Sequence, residues 1–406
     1  MSERRVIPLA VAPAIAPAGR HVPQLAAPPP LSLYVHFPWC VRKCPYCDFN
    51  SHALRESEDA IPEAAYVDAL IADLEGALPQ VWGRRVHSVF IGGGTPSLLS
   101  APGLDRLLTA IRTLLPLDPL AEITLEANPG TVEAGRFRDY RAAGVNRLSL
   151  GIQSFDDAQL VRLGRVHDAA QARAAIETAL AHFERVNLDL MYALPQQTPD
   201  AALADLETAL AFGVSHLSCY HLTLEPNTPF HRRPPPLPDA DVAADMQDAI
   251  EARLAAAGFG HYETSAFARP GQECRHNLNY WTFGDYLGIG AGAHGKLSSH
   301  EAIVREMRHK HPTRYLDAAV KGDFVQERRS VTAEELPFEF MMNALRLTAG
   351  VPRHLFAART GLPLATVEPQ LAEARRRGLL EITAEDIRPT ERGRHFLNDL
   401  LELFLR

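Results

Sequence analysis

The chain has 406 residues, too many for one ordinary core, and the length predicts two domains, the larger of barrel size. Hydrophobic residues make up 46% and charged residues 22%, a globular balance that excludes a largely disordered chain. Lys plus Arg number 41 against 49 Asp plus Glu, a formal charge of −8, which argues against broad, non-specific nucleic-acid binding.

The first thirty residues join a basic start to an Ala/Pro-rich run. Prolines at 8, 13, 17, 23 and 28 to 30 interrupt every apolar stretch, so a signal peptide and a membrane span are both disfavoured and 1–30 reads as a flexible tail. No later stretch approaches about eighteen uninterrupted apolar residues, so no membrane span is expected and the expected location is cytoplasmic. Five cysteines, odd in number and clustered, do not form a disulfide framework; they fit a reducing compartment and thiols kept for metal or redox work.

From Leu31, β-rich runs ("LSLYVHF", "HSVFIGG", "AEITLEAN", "NRLSLGIQ", "RVNLDLMYALP", "SHLSCYHLTL") alternate with segments of helical period such as "GLDRLLTAIRTLL" and "AQARAAIETALAHF". This βα repetition calls for an α/β fold with a parallel sheet. About six or seven units fit before Gly258, fewer than the eight of a closed barrel, so 31–295 is expected to be an incomplete barrel. Segment 296–330 is polar and reads as an irregular linker. The remainder, 331–406, reads as three or four short helices with a hairpin near "LLEITAEDIRPT", a mostly helical, winged-helix-like domain. Its only dense basic run is "EARRRG", which favours packing or partner docking over DNA binding, with a transcription factor as the competing class.

The stretch "YVHFPWCVRKCPYCDFN", Tyr34 to Asn50, carries Cys40, Cys44 and Cys47. Arg42 and Lys43 lie between them, and nearby positive charge favours the thiolate ligand form. A structural zinc site would want four protein ligands, and His36 and His52 lack the paired spacing to complete one. Three thiolates also suit an iron–sulfur cluster with one iron left open.

Here the residues resemble the radical S-adenosylmethionine (SAM) superfamily, whose CxxxCxxC loop follows the first strand of a partial (β/α)6 barrel. "YVHFPWC", "GGGTPS", "LGIQSF" and "RLGRVH", in this order, resemble the branch that holds oxygen-independent coproporphyrinogen III oxidase and the heme chaperones. The resemblance covers most of the chain after residue 31. It implies a [4Fe–4S] cluster on Cys40, Cys44 and Cys47, with SAM chelated at the open iron. It further implies SAM contacts from Tyr34, Tyr46, Gly93, Gly94 and Thr95, and from Glu126, Gln153, Arg165 and Asp189. Taken alone, the acids at strand ends read more readily as hydrogen-bonded structural groups, and the glycines after the second strand also fit a tight turn.

Two departures separate the possibilities within the branch. The decarboxylases extend the motif to CxxxCxxCxC, and Phe49 stands at the extra position. "CRHNLNYW", Cys274 to Trp281, is similar to the HNxxYW string of the heme chaperones and implies heme binding through His276, with Tyr280 and Trp281 able to stack on a macrocycle; Cys274 is a rival ligand. The competing reading is a loop whose polar groups satisfy backbone while its rings fill core. "GIGAGAHG", 288–295, reads as a flexible loop closing the cofactor cup, with His294 nearby. The expectation is a heme chaperone carrying a cluster and SAM, with apo-hemoproteins, those of the respiratory membrane among them, as clients. The alternative is a radical SAM decarboxylase or an enzyme on another tetrapyrrole. Whether the chain acts as an enzyme, and whether it is a monomer or a weak dimer, stays open.

Overall fold

The computed structural model describes residues 24–54, 61–130 and 135–405. The expected tail over 1–23 lies outside them. Residues 24–30 are packed rather than loose: Leu25 is buried, its carbonyl lies 2.9 Å from His300 Nδ1, and the Pro30 carbonyl accepts the Asp285 amide at 2.9 Å.

One twelve-stranded sheet organises the larger part of the chain. Its centre is parallel: β1 (Leu31–Phe37), β2 (Val86–Gly93), β3 (Leu117–Ala127), β4 (Arg147–Gln153), β5 (Arg185–Tyr192) and β6 (His216–His221) pair in succession. Beyond β6 lie β7 (Gly260–Glu263) and β8 (Ala266–Ala268), with β8 antiparallel to β6. Beyond β1, strand β9 (Asp285–Ile289) is parallel, followed by antiparallel β10 (His294–Ser298), β11 (Ile303–Arg308) and β12 (Val325–Ser330). The sheet does not close on itself, β12 and β7 being its two ends, so the six βα units form an incomplete barrel.

The central strands are short apolar runs because helices cover them outside and the barrel interior fills inside; β1 is buried at six of its seven positions. The covering helices include α1 (Glu63–Val81), α2 (Ala101–Leu114), α3 (Phe137–Ala143), α4 (Ala169–His182), α5 (Pro199–Ala211) and α6 (Ala240–Ala256). Their starts are encoded locally. Asp168 accepts the Gln171 amide at 2.8 Å while the Gln171 side chain accepts the Asp168 amide at 3.0 Å, a reciprocal cap on α4.

The polar stretch 296–330 is not an irregular linker. It supplies β11, helix α8 (Pro312–Lys321) and β12, which extend the sheet. Its polarity misleads because three of its charges are buried among partners: Arg308 bonds Asp73 at 3.0 Å and Glu306 at 2.6 Å, and Lys296 bonds Asp285 at 2.9 Å. Between β8 and β9, the short helix α7 (Arg275–Trp281) packs against β1, β2 and β9.

The C-terminal part builds a second core from α9 (Leu336–Ala344), α10 (Arg353–Thr360), α11 (Glu368–Arg376) and a small antiparallel sheet, β13 (Val351–Pro352), β15 (Asp386–Pro389) and β14 (Leu380–Ile382). This is a helical, winged-helix-like arrangement. In the basic run, Arg376 and Arg377 both pair with Glu373 on α11.

Candidate functional site

The cysteine loop leaves the carboxyl end of β1 and is closed on itself. Trp39–Cys40 pairs in parallel with His52–Ala53, and the Leu54 amide donates to the Cys40 carbonyl at 3.0 Å. Lys43 reaches across the loop to the carbonyls of Phe49 at 2.9 Å and Ser51 at 3.2 Å. Asn50 ties it to the neighbouring turn, its amide donating to Ala291 and Lys310 carbonyls at 2.9 Å each.

His36 supports the loop from below. Its Nε2 lies 2.9 Å from the Asn50 carbonyl, which can only accept, so the ring proton sits on Nε2 and Nδ1 accepts from the Tyr34 hydroxyl at 3.0 Å. Burial lowers the His36 pKa to about 4, and the ring stays neutral.

The turn after β2 comes as close as backbone allows. A side-chain carbon on Gly94 would stand 2.5 Å from the Trp39 carbonyl oxygen, and one on Gly93, whose φ is +117°, 2.6 Å from the His36 ring. The RLGRVH segment presses on the loop from the other side: a side-chain carbon on Gly164 would stand 2.8 Å from the Pro45 ring. That contact aims Arg165 at the cysteines, with Nη1 3.7 Å from Cys44 Sγ and Nη2 bonding the Asn128 side chain at 2.7 Å and the Gly151 carbonyl at 2.6 Å.

These segments enclose one cavity of about 750 Å³, counting the space continuous with solvent, within the roughly 300–1,000 Å³ of ligand pockets. Cys40, Cys44, Cys47, Tyr46, Gly93, Gly94, Thr95, Glu126, Gln153, Arg165 and Asp189 all line it. Sequence reasoning missed Asn128, Ser149 and Gly151, which also line it. Strand alternation carries the signal: Asn128 follows Glu126 by two, and Ser149 and Gly151 precede Gln153 by even steps. Tyr34 is not on the cavity wall; its hydroxyl is spent on His36.

Charge divides the cavity. Arg165, Lys43 and Arg42 stand on the thiol side, whereas Glu126 and Asp189 come from β3 and β5, with β4 between them. Burial, and then the charge of Asp189, raise the Glu126 pKa to about 8, and burial raises that of Asp189. Such a carboxyl pair accepts a cationic ligand well. Burial also raises Cys40 and Cys47, outweighing the lowering by Lys43 at Cys47, so basic neighbours alone do not ionise these thiols. Among the described residues no three His, Cys, Asp or Glu groups converge on a single-ion site. Phe49 lies at the mouth, 61% exposed.

His276 is elsewhere. It sits on α7, 1% exposed, with Nδ1 3.0 Å from Ser88 Oγ, Nε2 3.0 Å from the Tyr280 hydroxyl, and its ring stacked on Phe90 at 5.0 Å. Burial, followed by Arg147, lowers its pKa to about 3. In this conformation neither nitrogen is open to an iron. The rival, Cys274, is fully buried, its Sγ 3.5 Å from Glu122 Oε1, and burial pushes its pKa up to about 12. The GIGAGAHG stretch is no flexible loop: the Gly290 amide bonds Asp73 at 3.2 Å and Tyr315 at 3.1 Å. His294 is exposed at the start of β10 and is not on the cavity wall.

Residues 34–209 match the Radical SAM superfamily, and residues 331–396 match the HemN C-terminal domain. The chain is 51% identical over 379 residues to the heme chaperone HemW of Escherichia coli K12, covering 93% of this chain and 98% of that protein. The HemW of Haemophilus influenzae is 49% identical over 383 residues, with 93% and 98% covered, and that of Bacillus subtilis 35% identical, with 92% and 99% covered. Coproporphyrinogen III oxidase HemN of E. coli shares the fold, with a TM-score of 0.78 at 24% identity over 93% of this chain and 90% of the other. On these grounds the chain belongs to the heme chaperone HemW family of the radical SAM superfamily.

Proposed function

We propose that this chain is a cytoplasmic heme chaperone that holds a [4Fe–4S] cluster on Cys40, Cys44 and Cys47, binds SAM in the same cavity, and passes heme to apo-hemoproteins, respiratory membrane proteins among them. The observation that carries the reading is the meeting, in one cavity, of three thiols with two buried carboxyls that form no ion pair among the described residues, Arg147 acting on both from off the wall.

The residues fit both groups. Three thiolates on a cluster of charge +2 leave a net anion, which Arg165 and Lys43 offset, and Arg165 additionally donates toward Cys44. Glu126 and Asp189 complement the cationic amine and sulfonium of SAM. Gly93 and Gly94, lacking side chains, leave room for backbone contact, and the Gly93 amide orients Glu126 by a 3.1 Å bond to Oε2. A bound cluster with SAM supplies the electron chemistry, while the protein's part is orientation. Tyr46, Thr95 and Gln153 complete the wall around SAM, and Tyr34 acts through His36.

Phe49 in place of a fourth motif cysteine, and the heme-chaperone names of the relatives, favour heme handling over decarboxylation. No helix among the described residues is long and apolar enough to cross a membrane, so delivery to membrane clients requires docking. The test is anaerobic reconstitution with iron and sulfide, followed by incubation with heme and, separately, with coproporphyrinogen III. Heme uptake without decarboxylation is expected. Sustained conversion of coproporphyrinogen III without heme uptake overturns the proposal.

A further inference from the structure

A separate cavity, of about 500 Å³ counting the space continuous with solvent, opens at the amino-terminal ends of β4 and β5, the opposite end of the barrel from the cysteine loop. Three arginines from three elements converge on it: Arg141 near the end of α3, Arg185 at the start of β5 and Arg275 at the start of α7. Like charges gathered on one wall repel unless an anion stands among them.

Two carboxylates share the wall, and they differ. Glu122 is 2% exposed and already matched: Arg185 Nη2 stands 3.1 Å from its Oε2, and its Oε1 accepts the amides of Arg275 at 3.0 Å and His276 at 3.3 Å. Glu184 is exposed, and its side chain has no hydrogen bond or ion pair among the described residues. The lining thus carries three positive charges against two negative ones, an excess of one.

The arginines keep donors in hand, since each guanidinium has five N–H groups. Arg275 spends Nη1 on the Leu120 carbonyl at 2.8 Å. Arg185 spends Nη2 on Glu122 and on the Glu273 carbonyl at 2.8 Å, and its Nε is buried without a partner. The exposed Arg141 side chain has no hydrogen bond or ion pair among the described residues. Asn146 stiffens the wall beside them: its Oδ1 accepts the Ile123 amide and its Nδ2 donates to the Ala121 carbonyl, each at 2.8 Å, which clamps β3 in place.

We infer that this cavity binds a phosphate group, gripped by the guanidinium forks of Arg141 and Arg275 with Arg185 behind them. Guanidinium and phosphate meet through two parallel hydrogen bonds, and one bound monoanion removes the excess charge of the lining. The inference goes beyond the heme-handling function and does not rest on it. A free phosphate and a lipid headgroup share this chemistry; in the second case Leu120, on the wall and 76% exposed, meets the acyl region.

The test follows the melting temperature of the full chain in inorganic phosphate against potassium chloride of equal ionic strength, and its sedimentation with vesicles of phosphatidylglycerol or of phosphatidylcholine. Circular dichroism controls for folding, and Arg141 has no contact to lose. Phosphate is expected to raise the melting temperature above the chloride control, in step with its concentration. Arg141→Gln and Arg275→Gln each weaken apparent binding about tenfold, whereas Arg138→Gln, on the same helix as Arg141 but off the wall, keeps the response. No response to free phosphate, joined to phosphatidylglycerol-specific sedimentation that fails in the Arg141 and Arg275 variants, assigns the site to a headgroup. Wild-type behaviour in both of those variants, an equal loss in Arg138→Gln, or no response to either probe overturns the inference and leaves heme handling untouched.

Discussion

His276 Nε2 lies 3.0 Å from the phenol oxygen of Tyr280, one turn further along the same helix. With Nδ1 held by Ser88 and the helix start held by Glu122, whose Oε1 accepts the Arg275 amide at 3.0 Å, the imidazole is a buried brace. His276→Ala strands the Tyr280 hydroxyl, takes one of two partners from Ser88, which keeps Ser32 at 2.8 Å, and leaves a void, so unfolding stability falls by about 2–4 kcal/mol, measured by urea denaturation. His276→Gln, which keeps a hydrogen-bonding side chain without the imidazole, restores part of that stability. Equal loss in both variants would show that the ring's packing, and not its hydrogen bonds, is what holds the helix.

Gly94→Ala tests the closeness of the β2 turn to the cysteine loop. Its methyl would stand 2.5 Å from the Trp39 carbonyl oxygen, one residue before Cys40. Backbone must move, so iron uptake on reconstitution drops to a small fraction of wild type. Full iron content with wild-type visible absorbance would show that the loop yields without cost.

Glu126 makes the cofactor-free protein sensitive to alkali. Its folded pKa is raised to about 8 from an ordinary 4.5, so its contribution to stability is complete below 4.5 and is lost as pH rises through 8. The buried histidines act in the opposite sense. His36 and His276 are lowered to about 4 and about 3 from 6.5, so their contribution is present above 6.5 and is lost as pH falls toward those values. Melting temperature of the cofactor-free chain therefore peaks near pH 6.5 and declines toward pH 8. Glu126→Gln flattens the alkaline decline and weakens SAM binding; an unchanged decline in this variant refutes the assignment.

Arg165 and Cys44 should separate on substitution. Cys44→Ala removes one of three thiolates and abolishes cluster assembly. Arg165→Met deletes the contact with Cys44 together with the bonds to Asn128 and Gly151. It is expected to assemble a cluster that responds about tenfold more weakly to SAM, read by electron paramagnetic resonance with and without SAM. Identical SAM titrations in Arg165→Met and wild type would remove the arginine from the site.

Much of the first cavity was legible in the sequence because a βα barrel places strand ends together, so Glu126, Gln153 and Asp189 converge once their strands are identified. The linker expectation for 296–330 failed for a physical reason. Polarity marks loops only when the charges meet water, and Lys296, Glu306 and Arg308 meet one another or other buried partners in the interior.

By itself the sequence determined the three-thiol loop, the repeating units that carry it, the side-chain-free turn beside it and Phe49 at the extra motif position, because each depends on residue identity and short-range spacing. Only the tertiary structure decided that His276 faces inward and that Arg165 reaches Cys44 across 121 positions of chain. A local pattern states which faces of an element are apolar, but which neighbour covers each face follows from contacts between residues far apart in the chain, and those form only when the whole sheet closes around them.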